Sequence, residues 1–137
     1  MVGPLVKGLM ITLKHLVTRP ITVQYPKEKV GSFERYRGLQ AMRKDEKGNI
    51  KCVACGLCEA ICPPRAITLE IGETEDGRRF PKKYILDAYR CIYCGLCEDV
   101  CPVNAIYLTP EYENVRYRKE ELLLDRDTLM KRGEMVS

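Results

Sequence analysis

Two nearly identical cysteine runs are the feature that most constrains the fold of this chain. CVACGLCEAICPPRAI begins at Cys52, CIYCGLCEDVCPVNAI begins at Cys91, and the two runs agree at ten positions. All eight cysteines of the 137-residue chain lie in these runs. The apolar N-terminal stretch is interrupted by Lys7, Lys14 and His15, which argues against an export signal and favours reduced thiols over disulfides. Clustered reduced cysteines indicate a metal site.

The spacing within each run indicates which metal is bound. Each run reads C-x2-C-x2-C-x3-C-P, the pattern of two-cluster bacterial ferredoxins, in which the fourth cysteine ligates the other cluster. Structural zinc sites instead use two separated C-x2-C pairs. The sequence therefore predicts two [4Fe-4S] clusters, with Cys52, Cys55, Cys58 and Cys101 as ligands of cluster 1 and Cys62, Cys91, Cys94 and Cys97 as ligands of cluster 2.

The residues between the cysteines fit this interpretation. Gly56 and Gly95 stand where the backbone is expected to pass close to a cluster, and Pro63 and Pro102 turn the chain after each fourth cysteine. Six aliphatic residues are expected to form an apolar jacket that excludes water from the clusters: Val53, Leu57, Ile61, Ile92, Leu96 and Val100.

The duplication also predicts an α+β fold, a ferredoxin-like module with an N-terminal amphipathic helix and extended N- and C-terminal arms. In each half a strand leads into the cysteine loop, a helix reaches the fourth cysteine, and another strand follows. Strands are expected at residues 66–72, 83–89 and 105–109, with a turn at Asp76-Gly77. The predicted regions are an N-terminal helix at 1–19, a basic connector at 20–50, the two-cluster domain at 51–110 and a C-terminal arm at 111–137.

The N-terminal part of the chain is basic and carries an apolar helix face. Residues 1–50 contain ten Lys or Arg against four Asp or Glu, within a net charge of +4 for the whole chain. Such an amphipathic helix packs against its own core, a partner protein or a membrane surface. The connector holds an Arg/Tyr set typical of protein interfaces: Arg35, Tyr36, Arg37 and Arg43. The apolar face comprises Leu5, Val6, Leu9, Met10, Leu13, Leu16 and Val17.

Several segments, taken in order, resemble a known family: GLMITLKHLVTRPITVQYP, FERYRG, the two cysteine runs and YRKEELLLDRDTLM. Together they resemble the two-cluster ferredoxin-like subunit of respiratory complex I, NADH:quinone oxidoreductase. The resemblance implies an electron-transfer subunit that relays single electrons towards the terminal cluster next to the quinone site. Cluster 1 would receive the electrons and cluster 2 would pass them on. The chain would be part of an enzyme but would have no catalytic site of its own beyond this relay.

The same resemblance implies partners and a location. The partners would be the large iron–sulfur subunit, the terminal-cluster subunit, the quinone-site subunit and a membrane subunit contacted by the N-terminal helix. The chain would then be a peripheral subunit on the cytoplasmic side of a prokaryotic inner membrane. It would not be a free monomer, and it would bind no nucleic acid.

Three alternatives stay open at this point. Related ferredoxin-like subunits occur in membrane-bound hydrogenases and formate hydrogenlyases. A free ferredoxin would explain both clusters, although such carriers are usually acidic and lack a basic arm. A nucleic-acid-binding iron–sulfur protein would explain the basic arm, but no aromatic-rich recognition motif accompanies the charge.

Overall fold

Short helices and two small antiparallel sheets make up the protein, as described by a computed structural model for residues 3–33, 35–75 and 77–136. The helices are α1 (Gly3–Val17), α2 (Leu57–Ile61), α3 (Leu96–Asp99) and α4 (Arg126–Val136), with a 3-10 turn at Lys119–Leu122. The strands are β1 (Gln40–Met42), β2 (Ile67–Glu73), β3 (Arg79–Asp87), β4 (Ile106–Leu108) and β5 (Leu123–Asp125). This mixture confirms the predicted α+β class.

The chain divides into two compact units, and the first, Met1–Gly31, contains helix α1. None of the described residues of α1 is buried: Leu9 is 69% exposed and Leu13 is 51% exposed. Lys14 and His15 occupy the last turn, where positive charge complements the carbonyl end of the helix. Within the described residues, no helix is long and apolar enough to cross a membrane.

The second unit, Ser32–Ser137, is built around a β2–β3 hairpin to which β5 adds a third strand. Leu86 of β3 lies opposite Ile67 on one side and Leu124 on the other, so apolar residues line up across the sheet. The hairpin is at the predicted position. Of its predicted turn, Asp76 lies outside the described residues, and Gly77 has a φ of +73°, which favours glycine.

A second, two-stranded sheet joins the segment before the first cysteine run to the segment after the second. Strand β1 pairs antiparallel with β4, and Met42 lies opposite Ile106. Both side chains belong to the hydrophobic core, together with Tyr84, Leu86 and Leu129. The segments that flank the two cysteine runs are therefore held together by a sheet rather than left as free arms.

Two regions contain more structure than the sequence predicts. The basic connector includes β1, whose three residues are all buried and are too few to produce a visible period. The C-terminal arm, predicted to be extended, contains β5 and α4. The Asp125 side chain accepts a hydrogen bond of 2.9 Å from the N–H of Thr128, which caps α4, and Leu129 on the first turns of that helix is fully buried.

Candidate functional site

Two separate cavities each bring together four cysteines, and each set draws on both cysteine runs. Cys52, Cys55, Cys58 and Cys101 line the first cavity. Cys62, Cys91, Cys94 and Cys97 line the second. These are the two sets that the spacing predicts, with the fourth cysteine of each run contributed to the other cavity. The role of these residues as ligands stays a prediction, and the structure describes all of them as free cysteines.

The two cysteine loops have the same backbone conformation at corresponding positions. Gly56 and Gly95 lie just before α2 and α3 with φ values of +80° and +86°. A side chain at Gly56 would meet no described atom within 4 Å, so its glycine is required by the left-handed backbone and not by crowding from the protein. Ala54 and Tyr93 also have positive φ, which bends each loop around its cavity.

Backbone amides point at the sulfurs in matching pairs. The N–H groups of Ala54 and Tyr93 donate to the first cysteine of their runs, Cys52 and Cys91, at 3.4 and 3.3 Å. The N–H groups of residues 66 and 105 donate to the fourth cysteine of their runs, at 3.3 and 3.2 Å. A sulfur that accepts such bonds is stabilised as a thiolate, the form that binds iron.

Two side chains from outside the cysteine runs also donate to the sulfurs. The Nε2 of Gln40 lies 3.0 Å from the Sγ of Cys91 in the second cavity. The hydroxyl of Tyr84 lies 3.8 Å from the Sγ of Cys58 in the first. Sequence reasoning missed both, because each donor reaches its sulfur only through tertiary packing. The only signal in the sequence was the position of Tyr84 within the strand predicted at residues 83–89.

Burial opposes the ionisation of four of the eight cysteines. It raises the pKa of Cys52, Cys58 and Cys91, and it raises the pKa of Cys97 to about 12. Electrostatic repulsion from Cys91 and Cys58 adds to the shift at Cys97, so Cys58 of the first cavity and Cys97 of the second lie close enough to interact. Four thiolates in one cavity therefore require a positive counter-charge, which bound iron supplies.

The walls of the cavities are largely apolar and include half of the predicted jacket: Val53 lines the first cavity, and Ile92 and Leu96 line the second. The first is lined by Leu69, Tyr84 and Ile106, and the second by Ile67 and Leu86. Five of the six jacket residues are nevertheless among the exposed large apolar side chains: Val53, Leu57, Ile61, Ile92 and Leu96. Core residues of the sheets and three aliphatics of the cysteine runs therefore line the cavities together, but the jacket is not a closed apolar shell.

The residues present fit [4Fe-4S] clusters. Each cavity offers four sulfurs, apolar walls and N–H donors directed at the sulfurs, which is the environment of a cubane held by four thiolates. No three His, Cys, Asp or Glu side chains in the described part of the chain are placed to bind a single metal ion. A cubane takes one cysteine at each of four irons, so its ligands stand further apart than those of one ion.

Comparison with known proteins identifies the family. The 4Fe-4S dicluster domain matches residues 51–120. NADH-quinone oxidoreductase subunit I 2 of Geobacter metallireducens is 39% identical over 132 residues, which cover 96% of this chain and all of the relative. The chain belongs to the subunit I family of NADH-quinone oxidoreductases. The match to a 4Fe-4S dicluster domain, in a chain of this family, confirms the predicted cofactors, two [4Fe-4S] clusters.

Other relatives match over a shorter range. Subunit I of Francisella philomiragia is 48% identical over 85 residues, and subunit I of Francisella tularensis is 51% identical over 83. The chain spans about half the length of these two relatives, 52% and 51%. Among solved structures, the membrane-bound sulfane sulfur reductase, an archaeal respiratory membrane complex, contains a chain 34% identical with a TM-score of 0.54, covering 82% of this chain and 56% of that one.

Proposed function

We propose that this chain is the electron-relay subunit of an NADH-quinone oxidoreductase and passes single electrons through two [4Fe-4S] clusters. The observation that carries the proposal is the pair of cavities, each lined by four cysteines drawn from both runs. A [4Fe-4S] cluster supplies reversible one-electron storage. The chain's own residues bind the clusters, exclude water from their inner side and direct N–H groups at the sulfurs.

The ligand assignment forms part of this proposal. Cluster 1 takes Cys52, Cys55, Cys58 and Cys101, and cluster 2 takes Cys62, Cys91, Cys94 and Cys97. The grouping of the same residues around two cavities supports the assignment. Electrons arrive at cluster 1 from the large iron–sulfur subunit and leave cluster 2 for the terminal cluster next to the quinone site.

Two serine variants test the ligand assignment. Cys62→Ser is expected to perturb cluster 2 and leave cluster 1 intact, and Cys101→Ser to do the reverse, because each fourth cysteine crosses to the other run's cavity. Electron paramagnetic resonance of the anaerobically reduced full-length chain distinguishes the two signals. Iron and sulfide analysis of the wild-type chain should give about eight of each. If each variant disturbs the cluster of its own run, the crossed assignment is wrong.

The other partners and the location are part of the same proposal. Helix α1 presents exposed leucines, and burying one such side chain contributes about 1.5–3 kcal/mol. We assign this face to a membrane subunit, with the chain peripheral on the cytoplasmic side of a prokaryotic inner membrane and its clusters next to the quinone-site subunit. Leu9→Glu with Leu13→Glu should release the chain from membranes with both cluster signals unchanged, since each charge would have to lose its hydration in the contact.

The two lysines of α1 provide a matched control for the leucine substitutions. Lys7→Ala with Lys14→Ala alters the same helix without placing a charge on its apolar face, so membrane attachment should weaken only slightly. Fractionation of membranes and cytosol measures the attachment. Loss of both clusters in the glutamate variant would mean that α1 supports the cluster module, and the assignment to a membrane partner would fail.

A second function is supported by the structural neighbour. The similarity to a chain of the archaeal sulfane sulfur reductase supports, as the second candidate, a role in a related membrane-bound respiratory complex. The hydrogenase-type alternatives belong to this second candidate. The cluster relay would be the same, but the electron donor and final acceptor would differ. The proteins that co-purify from detergent-solubilised membranes distinguish the two: NADH-oxidising flavoprotein subunits support the first proposal, and their absence from an otherwise intact complex supports the second.

A further inference from the structure

Gln40 is a buried amide side chain that contacts a cysteine of the second cavity from outside the cysteine runs. It is 1% exposed, and its Nε2 donates to the Sγ of Cys91 over 3.0 Å. The two residues are 51 positions apart in the chain, so the contact depends on the fold. Gln40 also lines the cavity that holds Cys62, Cys94 and Cys97.

The backbone around Gln40 is fixed from both sides. Strand β1 pairs Gln40 with Leu108 of β4. The guanidinium of Arg132, on α4, donates to the backbone carbonyl of Gln40 over 3.4 Å. Both the N–H and the hydroxyl of Thr109 donate to the neighbouring carbonyl of Leu39, each over 2.8 Å. The backbone that carries the amide is therefore held in place, as is needed for a side chain that acts on the sulfur.

The orientation of the amide follows from the chemistry of the sulfur. An iron-bound thiolate can only accept a hydrogen bond, so the NH₂ group must face Cys91 and the oxygen must face away. That oxygen, Oε1, is buried without a hydrogen-bond partner among the described residues. A buried carbonyl left unpaired is unfavourable by about 1–3 kcal/mol. Gln40 is therefore a poor choice for stability alone, and its position indicates a role towards the sulfur.

Gln40 also distinguishes the two cavities. The backbone N–H···S bonds occur at corresponding positions in both halves of the molecule. The side-chain donors do not correspond: the first cavity has the hydroxyl of Tyr84 at 3.8 Å from the Sγ of Cys58, and the second has Gln40 at 3.0 Å from Cys91. The shorter contact polarises its sulfur more strongly, because hydrogen bonds weaken with distance.

We propose that Gln40 raises the reduction potential of cluster 2 by donating its side-chain N–H to the thiolate of Cys91. This inference rests on the proposed two-cluster function. When one electron passes from cluster 1 to cluster 2, the first is oxidised and the second reduced by one electron, with no proton transferred. The reduced cluster and its thiolates carry one more negative charge, so a donor to Cys91 stabilises the reduced form more than the oxidised form. Gln40 is thus a positioning residue that favours electron flow towards cluster 2.

Substitutions at the two side-chain donors test the proposal in the anaerobically purified full-length chain. Gln40→Met removes the donor and keeps the length of the side chain. We expect the electron-exchange equilibrium between the clusters to shift about tenfold towards cluster 1, which corresponds to about 59 mV in the midpoint potential of cluster 2 for one electron. Redox titration followed by electron paramagnetic resonance gives both potentials. Tyr84→Phe is the matched control and should shift only cluster 1, by less.

A labelling experiment tests the contact without any change at Gln40. The chain has two glutamines, Gln24 and Gln40. With ¹⁵N in the glutamine side chains and Gln24→Asn to remove the other one, pulsed electron paramagnetic resonance should detect ¹⁵N coupled to the spin of reduced cluster 2. This measurement decides the case even where Gln40→Met prevents cluster 2 from assembling.

The outcomes separate this proposal from the function on which it rests. An unchanged potential of cluster 2 in Gln40→Met, equal shifts at both clusters, or no ¹⁵N coupling overturns the role of Gln40 while eight irons and two signals leave the relay function intact. A wild-type chain without two [4Fe-4S] signals overturns the relay function itself. A selective fall in the potential of cluster 2 together with ¹⁵N coupling supports both.

Discussion

Gly38→Ala should destabilise the second unit, because this glycine lies directly against the backbone of the segment after β4. Its N–H donates to the carbonyl of Thr109 over 2.9 Å. A Cβ at this position would stand 2.5 Å from that same oxygen and still closer to the carbonyl oxygen of Glu111. Real Cβ atoms essentially never approach other atoms within 3.0 Å, and backbone oxygens cannot move away as flexible side chains do. The segment before β1 would therefore have to shift.

The magnitude follows from three contributions. Overpacking costs about 1–3 kcal/mol. The shift weakens at least one backbone hydrogen bond, worth about 1 kcal/mol. Alanine lowers the entropy of the unfolded chain and returns about 0.4–1 kcal/mol. We expect a net loss of about 2 kcal/mol in the free energy of unfolding, which lowers the melting temperature of a unit of this size by about 8 °C.

Anaerobic thermal unfolding, followed by circular dichroism and visible absorbance, measures the effect. Gly31→Ala is the matched control, because a Cβ there meets nothing within 4 Å and the φ of Gly31 is not positive. Its melting temperature should stay within about 2 °C of the wild type, given the small effects of surface substitutions. Since Gly38 is two residues from Gln40, the signal of cluster 2 should also change more than that of cluster 1. Equal melting temperatures for Gly38→Ala and wild type would refute the reasoning.

Three further predictions concern the rest of the second unit. Asp125→Ala should remove the cap of α4 and lower the free energy of unfolding by about 1 kcal/mol, as measured by urea unfolding. Hydrogen bonds from the side chain and backbone of Thr128 lower the pKa of Asp125, so the stabilisation by this cap is lost only as pH falls through the lowered pKa. The difference in unfolding free energy between variant and wild type should therefore stay constant from about pH 8 to about pH 5. A steady decline over that range would contradict the assignment. Leu129→Ala, at a position 0% exposed, should cost about 2–5 kcal/mol, and a melting temperature close to wild type would exclude Leu129 from the core. Removal of iron with a chelator and an oxidant should unfold the two-cluster module cooperatively, since cluster binding contributes to folding; strand signals retained in circular dichroism would count against this.

The parts of the molecule that the sequence predicts are those specified by neighbouring residues. The glycine before each short helix, the β2–β3 hairpin and the grouping of the cysteines all depend on local spacing and on a duplicated pattern. Residues that act across the fold leave no such pattern. Gln40 reaches Cys91 only because β1 pairs with β4, and a strand of three residues has no readable period.

The predicted apolar jacket shows a different limit. Val53 and Ile92 occupy corresponding positions next to the first cysteine of each run, and hydrophobicity alone suggests that they are buried. In the structure each lines its cavity, yet they remain 37% and 62% exposed, because no other part of the described chain covers their outer side. Hydrophobicity identifies residues that favour burial but does not identify the surface that buries them, and an exposed apolar rim on an electron carrier is available to partner subunits.

The exchange of the fourth cysteine between the two cavities has a consequence for biogenesis. As the chain leaves the ribosome, the first run emerges with three of its cavity's sulfurs, and the fourth, Cys101, follows only after the whole hairpin has been synthesised. The second cavity has Cys62 early and its other three sulfurs late. A nascent chain that stops before residue 101 therefore offers no complete set of sulfurs for the first cluster. If these sulfurs are the ligands, neither cluster can be fully bound until the entire two-run segment has been translated.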